Sequence, residues 1–102
     1  MTMNLEHIKM MRKMKVSIEY FTDRKRHLVC IPYSIENLHK MAEDLSIGRH
    51  WFHRGSGLDH YDIPKKRIAE IEARCVIITS KEILEIIRGT YDRANDSSGD
   101  DL

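Results

Sequence analysis

Residues 49–67 read RHWFHRGSGLDHYDIPKKR, and the rest of the chain is organised around this histidine-rich loop. The loop holds three of the six histidines, the single tryptophan and two of the five glycines. No other stretch concentrates as many side chains that can bind a ligand or move a proton. We therefore expect the functional site here, at the entrance to a helix predicted over residues 64–74.

The length and composition indicate one soluble globular domain. A chain of 102 residues, 41% hydrophobic and 32% charged, can bury a single modest core. The formal net charge of +1 favours no class of partner by itself. Lys and Arg nevertheless outnumber Asp and Glu over residues 9–74, whereas acidic residues dominate residues 81–102. This separation of charge points to an anionic partner.

The boundaries of the domain follow from changes in composition. We predict an N-terminal extension over residues 1–13, an α/β domain over residues 14–89 and a disordered acidic tail over residues 90–102. No apolar stretch approaches the roughly 20 residues of a membrane-spanning helix, and no secretory signal is present. We expect a cytoplasmic protein (in the host cytoplasm if a phage encodes it) without a membrane partner. Cys30 and Cys75 lie in apolar runs, which predicts buried thiols.

The segments before the loop predict two strands and a helix. Residues 15–21 alternate, which is typical of a strand with one strongly buried face; the residues on that face are Val16, Ile18 and Tyr20. Residues 27–31 are apolar on both faces, so this strand should be central in the sheet. Ser34 is a good N-cap for an amphipathic helix, and Gly48 is placed to end that helix.

The segments after the loop predict a strand between two helices. Pro64 suits the start of a helix over residues 64–74. Residues 75–79 read as a fully buried strand, and Thr79 with Glu82 forms a capping box for the last helix. This order predicts a small α/β domain, in which a three-stranded or slightly larger sheet packs with three helices. The third strand would join the sheet after a helical crossover.

Four side chains of the loop are of the types that bind zinc. His50, His53, His60 and Asp62 offer imidazole nitrogens and a carboxylate, and three ligands with a water would leave an open catalytic position. Their spacing matches no standard metal motif, so we assign no metal ligand and name no cofactor. The alternative is that these are loop histidines whose hydrogen bonds are satisfied by the backbone.

Two polar residues around Tyr61 could support acid–base catalysis. On an extended segment His60 and Asp62 would point to the same side, where a carboxylate can orient an imidazole. We therefore take His60, Tyr61 and Asp62 as candidate catalytic residues. The alternative, which we favour for Asp62, is that its side chain caps the following helix. The chain contains no nucleophile elbow and no Walker-type phosphate loop.

The cations of the loop suggest anion binding. The first turn of helix 64–74 carries three of them, which is the wrong charge for the positive end of a helix dipole, so an anionic partner would explain them. Trp51 and Tyr61 could stack on bases. The alternative is a solvated basic face. The candidate ligand-binding cations are Arg49, Arg54, Lys65, Lys66 and Arg67.

The chain also resembles a small family of uncharacterised bacterial and phage proteins, known only as a domain of unknown function. The resemblance covers residues 15 to about 88, and its Trp-Phe and His-Tyr-Asp pieces are the most specific. The matching features are Glu19, His27-Leu28, Leu38-His39, Arg49-His-Trp-Phe52, His60-Tyr-Asp62, Lys66-Arg67 and Ala73-Arg-Cys-Val76.

The resemblance adds two residues to the candidate site and removes one. It draws attention to His27 and His39 as ligand-binding candidates beside His60, Tyr61 and Asp62. Relatives tend to carry Gln where this chain has His53, so the resemblance argues against His53 as an indispensable ligand. The basic turn after the first strand also departs from the family pattern. The resemblance implies a phage or prophage origin and supplies no activity.

Three functional hypotheses follow. The leading one is a binding domain for a phosphate-bearing ligand, nucleic acid or nucleotide, at the loop 49–67. The second is a small hydrolase that uses His60 and Asp62, with or without a metal ion. The third is a phage accessory protein that binds a host protein, which would require Trp51 and Phe52 to lie on the surface.

Overall fold

The computed structural model of the protein describes residues 17–92. The predicted extension over residues 1–13 lies outside this range, as does the predicted tail beyond Asp92. The described strands are β1 (Glu19–Thr22), β2 (His27–Ile31), β3 (Phe52–His53), β4 (His60–Asp62) and β5 (Val76–Ile77). The described α-helices are α1 (Ile35–Asp44), α2 (Ile68–Glu72) and α3 (Ser80–Arg88). Two short 3-10 turns are also present, Arg49–Trp51 and Lys65–Arg67.

The strands form one mixed sheet in the order β3-β4-β2-β1-β5. β1 and β5 are parallel, and the other pairings are antiparallel. β2 is central as predicted, and the parallel β1–β5 pairing confirms the predicted crossover. The α/β class is confirmed, but the predicted three-stranded sheet is smaller than the five-stranded sheet observed. β3 and β4 come from the histidine-rich loop, which has no run of β-branched residues that would predict a strand.

Helices cover both faces of the sheet. Tyr61 of β4 bonds to His39 of α1, so Tyr61 faces α1. Because side chains alternate along a strand, its neighbours His60 and Asp62 point to the opposite face. α3 packs on that face, where its Ile83 lines a small cavity together with His60. The core therefore occupies two layers, one on each side of the sheet.

This sandwich corrects two predictions about burial. Phe21 is fully buried, although the alternation in residues 15–21 placed it opposite the strongly buried face. β1 lies inside the sheet and is covered on both sides, so both of its faces carry core residues. Val76 and Ile77 are each 37% exposed, so the prediction of a fully buried strand at residues 75–79 is wrong. β5 is an edge strand, and Ile78 is the residue after it that enters the core.

The bounds of two predicted helices are also wrong. α1 ends at Asp44, ahead of Ser46 with its left-handed φ of 58°, and does not continue to Gly48. The helix predicted over residues 64–74 is a 3-10 turn followed by the five-residue α2. Arg67 separates the two, because its backbone (φ −118°, ψ 14°) leaves helical geometry. After α3 the Tyr91 ring packs edge-on against Phe21, past the predicted domain boundary at residue 89.

Two of the three predicted helix starts, at Ser34 and Thr79, are confirmed. The Ser34 hydroxyl accepts a hydrogen bond from the Asn37 N–H at 3.0 Å, and Thr79 and Glu82 form the capping box of α3. The capping box fixes where α3 begins. Ser80, the first residue of α3, donates its hydroxyl to Asp23 in the turn between β1 and β2. This contact brings α3 to the edge of the candidate site.

Neither cysteine is disulfide-bonded. Cys30 is buried as predicted, whereas Cys75 is only partly buried. Burial raises the pKa of each thiol to about 11, which keeps both protonated at neutral pH. Within residues 17–92, none of the helices combines the length and apolar character that a membrane crossing requires.

Candidate functional site

The sheet register brings three histidines and a carboxylate together on the face toward α3. His27 of β2 pairs with Asp62 of β4, and His53 of β3 pairs with His60 of β4. Cross-strand partners share a face, so the four side chains form a group, here called the histidine cluster. The His60 ring lies 5.2 Å from the His27 ring and 5.3 Å from the His53 ring, measured between centroids.

Asp62 joins two members of the histidine cluster. One carboxylate oxygen, Oδ2, lies 2.8 Å from Nε2 of His53, and the other, Oδ1, lies 3.3 Å from Nε2 of His60. The expectation that His60 and Asp62 point to the same side is therefore met. The alternative role for Asp62 is wrong, because neither the 3-10 turn nor α2 has a side-chain cap.

A buried carboxylate, Asp23, orients His27. The Nδ1–H of His27 donates to Oδ2 of Asp23 at 2.7 Å, and Ser80 donates its hydroxyl to the same oxygen at 2.5 Å. The backbone N–H groups of Lys25 and His27 donate to Oδ1. Burial by itself would raise the pKa of Asp23, but these hydrogen bonds more than offset it and lower the pKa. Asp23 is therefore a carboxylate that holds the His27 ring by one nitrogen.

A backbone carbonyl orients His60 in the same way. Nδ1 of His60 lies 2.8 Å from the carbonyl oxygen of Leu58. The carbonyl can only accept, so Nδ1 carries the proton and donates it. In the neutral ring Nε2 then presents a lone pair, and it faces the Oδ1 atom of Asp62 at 3.3 Å. Two acceptors this close need a cation between them, either a proton or a metal ion.

The histidine cluster opens beside a small apolar cavity of about 200 Å³. The apolar residues and Ser80 that surround it come from α3 and from the end of the β3–β4 hairpin. An apolar wall lowers the local dielectric constant and so strengthens electrostatic interactions beside it. The residues that line the cavity are His27, His60, Leu58, Ser80, Ile83, Leu84 and Ile87.

Two predicted site residues lie on the other face of the sheet. The fully buried Tyr61 hydroxyl lies 2.7 Å from Nδ1 of His39. Burial lowers the pKa of His39, and nearby Arg49 and Arg54 act in the same direction, against Glu43. Burial also raises the pKa of Tyr61. His39 and Tyr61 thus form a neutral hydrogen-bonded pair under α1, separated by the sheet from His60 and Asp62.

The predicted cations do not all share one surface. Lys65, Lys66 and Arg67 line a groove of about 770 Å³ together with Arg26. Arg49 and Arg54 are absent from its lining and lie close enough to His39 to affect its titration. The other lining residues, which form a largely apolar floor, are Ser46, Ile47, Gly48, His50, Trp51 and Pro64.

Arg67 and Arg26 are also engaged with the backbone. The guanidinium of Arg67 donates to the carbonyl oxygens of Leu45 at 2.6 Å and Ser46 at 2.8 Å, and it pairs with Glu70. These bonds satisfy carbonyls at the end of α1, where the helix leaves them without partners. Arg26 donates to the Ile63 carbonyl at 3.0 Å. Lys65 and Lys66 are exposed, and no ion pair within residues 17–92 involves them.

Comparison with known proteins supports the resemblance noted in the sequence. A family model described as "Protein of unknown function (DUF4031)" matches residues 18–90. The chain belongs to the DUF4031 family. No curated protein and no solved structure matches it. Because the family carries no assigned activity, any function for this DUF4031 domain must be argued from its own site.

Sequence reasoning missed Asp23 in this DUF4031 domain. In the sequence, the turn between the first two strands stands out only for its basic residues. The available signal was local, because an Asp that begins a tight turn commonly accepts hydrogen bonds from the N–H groups that follow. In this hairpin the same geometry puts the Asp23 carboxylate beside His27, four residues later. The contact between Asp23 and Ser80 of α3 could not be predicted locally, because the two residues are far apart in the sequence.

Proposed function

We propose that this DUF4031 domain binds a phosphate-bearing ligand, nucleic acid or nucleotide, in the groove beside Lys65 and Lys66. The observation that carries the proposal is the lining of the groove. Four cationic side chains surround it, and no Asp or Glu is found among its described lining residues. A positive, partly apolar groove suits a ligand that carries both phosphate and a base.

The cations of the groove differ in their contacts. Arg67 and Arg26 are held in place by backbone carbonyls. Glu70 offsets the charge of Arg67, so the fixed positive charge comes from Arg26. Lys65 and Lys66 are exposed and can reach a phosphate. Trp51 is partly buried against the core, and its indole can stack on a base, an interaction worth about 1–3 kcal/mol. The groove volume of about 770 Å³ falls within the usual range for small-ligand sites.

The test is binding of single-stranded DNA at low salt by the full chain. We expect the double variant Lys65→Ala, Lys66→Ala to bind DNA more weakly. The slope of log K against log[salt] should become shallower by roughly 0.7 for each phosphate contact that is lost. The matched control is Lys40→Ala with Lys81→Ala, which removes the same charge from exposed helix positions outside the groove. Equal loss in both double variants would leave only general electrostatics, and absence of binding by the wild type would refute the proposal.

A hydrolase is the second candidate function, and the histidine cluster favours it. His60 and Asp62 lie within 3.3 Å of each other, and His53 holds the second oxygen of Asp62 at 2.8 Å. This arrangement provides an oriented imidazole and a carboxylate for proton transfer. A phosphodiesterase screen of the wild type against His60→Ala tests it. Turnover that disappears with His60 supports the hydrolase, whereas turnover that survives the substitution counts against it.

The third hypothesis, binding of a host protein through Trp51 and Phe52, gains no support from the site. Both side chains are partly buried and pack against the hydrophobic core. Phe52 also contacts the rings of His39 and Tyr61 under α1.

A further inference from the structure

We propose that His27, His60 and Asp62 form a binding site for a divalent transition-metal ion. The proposal goes beyond phosphate binding in the groove, because it rests on different side chains and predicts a different ligand. It also differs from the zinc-type residues suggested by the sequence, since His27 comes from another strand and His50 lies outside the cluster.

The positions of the ligand atoms suit a metal ion. One ligand atom from each of His27, His60 and Asp62 lies within 4.8 Å of the other two. In a tetrahedral zinc site with bonds of about 2.0–2.1 Å, ligand atoms are about 3.3 Å apart. The Nε2 of His60 and the Oδ1 of Asp62 already have a separation of 3.3 Å. The other separations among the three ligand atoms are at most 4.8 Å and would have to shorten when a metal ion binds.

The second nitrogen of each histidine has the partner that metal-binding histidines require. A metal-ligating histidine usually donates its other N–H to a carboxylate or a backbone carbonyl, which fixes the tautomer and the ring orientation. His27 uses the Asp23 carboxylate for this purpose, and His60 uses the Leu58 carbonyl. Both rings are left with Nε2 as the nitrogen available to a metal.

The contact between His60 and Asp62 has a geometry that a metal ion can occupy. With its Nδ1–H donated to Leu58, a neutral His60 turns a lone pair toward a carboxylate oxygen 3.3 Å away. A metal ion bound by both atoms converts this repulsion into two bonds. His53 then acts as a positioning residue, because its Nε2 lies 2.8 Å from the other Asp62 oxygen and holds the carboxylate in place.

The ligand types select the class of metal. Two imidazoles and one carboxylate suit zinc and ferrous ions, whereas magnesium and calcium prefer oxygen ligands. Three protein ligands leave at least one coordination position open for water or substrate. The side chains of His27, His60 and Asp62 are 40%, 21% and 23% exposed, so a small molecule can reach that position.

The test is titration of the metal-stripped full chain with Zn²⁺ and Co²⁺, followed by calorimetry and the visible spectrum of Co²⁺. We expect one ion per chain, no competition from excess Mg²⁺, and a Co²⁺ spectrum typical of low coordination number. His60→Gln and Asp62→Asn should each weaken Zn²⁺ binding by more than the ~10–100-fold expected for loss of an outer partner. The matched control, His50→Gln, removes an imidazole of the same loop outside the cluster and should leave affinity unchanged.

Two further measurements keep the proposal open to refutation if a variant misfolds. Asp23→Asn should weaken Zn²⁺ binding by ~10–100-fold, with the fold checked by circular dichroism. In the wild type, NMR of the histidine rings should show that Zn²⁺ shifts His27 and His60 and leaves His39 unchanged. Absence of Zn²⁺ binding by the wild type, or equal losses in His50→Gln and His60→Gln, would overturn the proposal. A His60 ring that holds two protons and ignores Zn²⁺ would also overturn it.

Discussion

The two faces of β4 show how adjacent residues of one strand take different roles. On the face toward α3, His60 and Asp62 are partly exposed and interact with other polar side chains. On the face toward α1, Tyr61 is fully buried and shares one hydrogen bond with His39. Both faces carry polar groups, but Tyr61 is fully buried, whereas His60 and Asp62 are 21% and 23% exposed. The His-Tyr-Asp triplet therefore combines two ligand-binding candidates with one structural residue.

The largest expected effect is a difference in unfolding free energy between substitutions on the two faces of β4. Tyr61→Ala removes a fully buried aromatic ring and should cost about 3–5 kcal/mol of unfolding free energy. His60→Ala removes a partly exposed ring and one hydrogen bond, and should cost about 1 kcal/mol. Urea denaturation in the presence of EDTA measures both without a contribution from bound metal. Similar losses for the two variants would remove the distinction between the faces.

A smaller effect on stability is expected among the cations of the groove, where Arg67 contacts the backbone and Lys66 is exposed. Arg67→Ala should lower the urea midpoint, because it leaves the carbonyls of Leu45 and Ser46 without their donor. Lys66→Ala should leave the midpoint unchanged and weaken only binding of DNA. Denaturation and DNA titration of both variants would sharpen the comparison. A stable Arg67→Ala with reduced DNA affinity would instead place Arg67 among the binding residues.

The smallest expected effect is a pH dependence that comes from the buried face. Burial lowers the pKa of His39 below its ordinary value of 6.5, so the unfolded chain takes up this proton before the folded chain does. Its contribution to stability is complete above pH 6.5 and is lost as the pH falls through the folded pKa. NMR titration of the His39 ring measures the shift, and a pKa at or above 6.5 would contradict it. His39→Gln should flatten the corresponding part of the stability profile.

Local sequence patterns were enough to predict the parts of the fold that depend on local interactions. Ser34 and Thr79 marked the starts of α1 and α3, since capping involves residues three positions apart. The apolar run at residues 27–31 identified the central strand. The aromatic pair Trp51-Phe52 was compatible with either a short strand or a packed loop. The pairing of β3 with β4, and of β4 with β2, was not predicted, because these strands are two and three residues long and are held by tertiary pairing.

The candidate site was only partly predictable for a related reason. The period of a strand was sufficient to place His60 and Asp62 on the same side. The same period places Tyr61 on the opposite face of the strand. Tyr61 is buried because α1 packs on that face, and no local sequence pattern predicts where α1 packs. The resemblance drew attention to both His27 and His39, and only the sheet register assigns the first to the cluster and the second to the buried face.

The most direct test of this account is a crystal structure of the full chain grown with Zn²⁺, with anomalous scattering measured at the zinc edge. We expect a peak about 2.0–2.2 Å from the ring nitrogens of His27 and His60 and from an oxygen of Asp62. We also expect the His39–Tyr61 hydrogen bond to stay intact beneath α1. Absence of a peak at these three side chains, or a peak at His39 or His50 instead, would contradict this account.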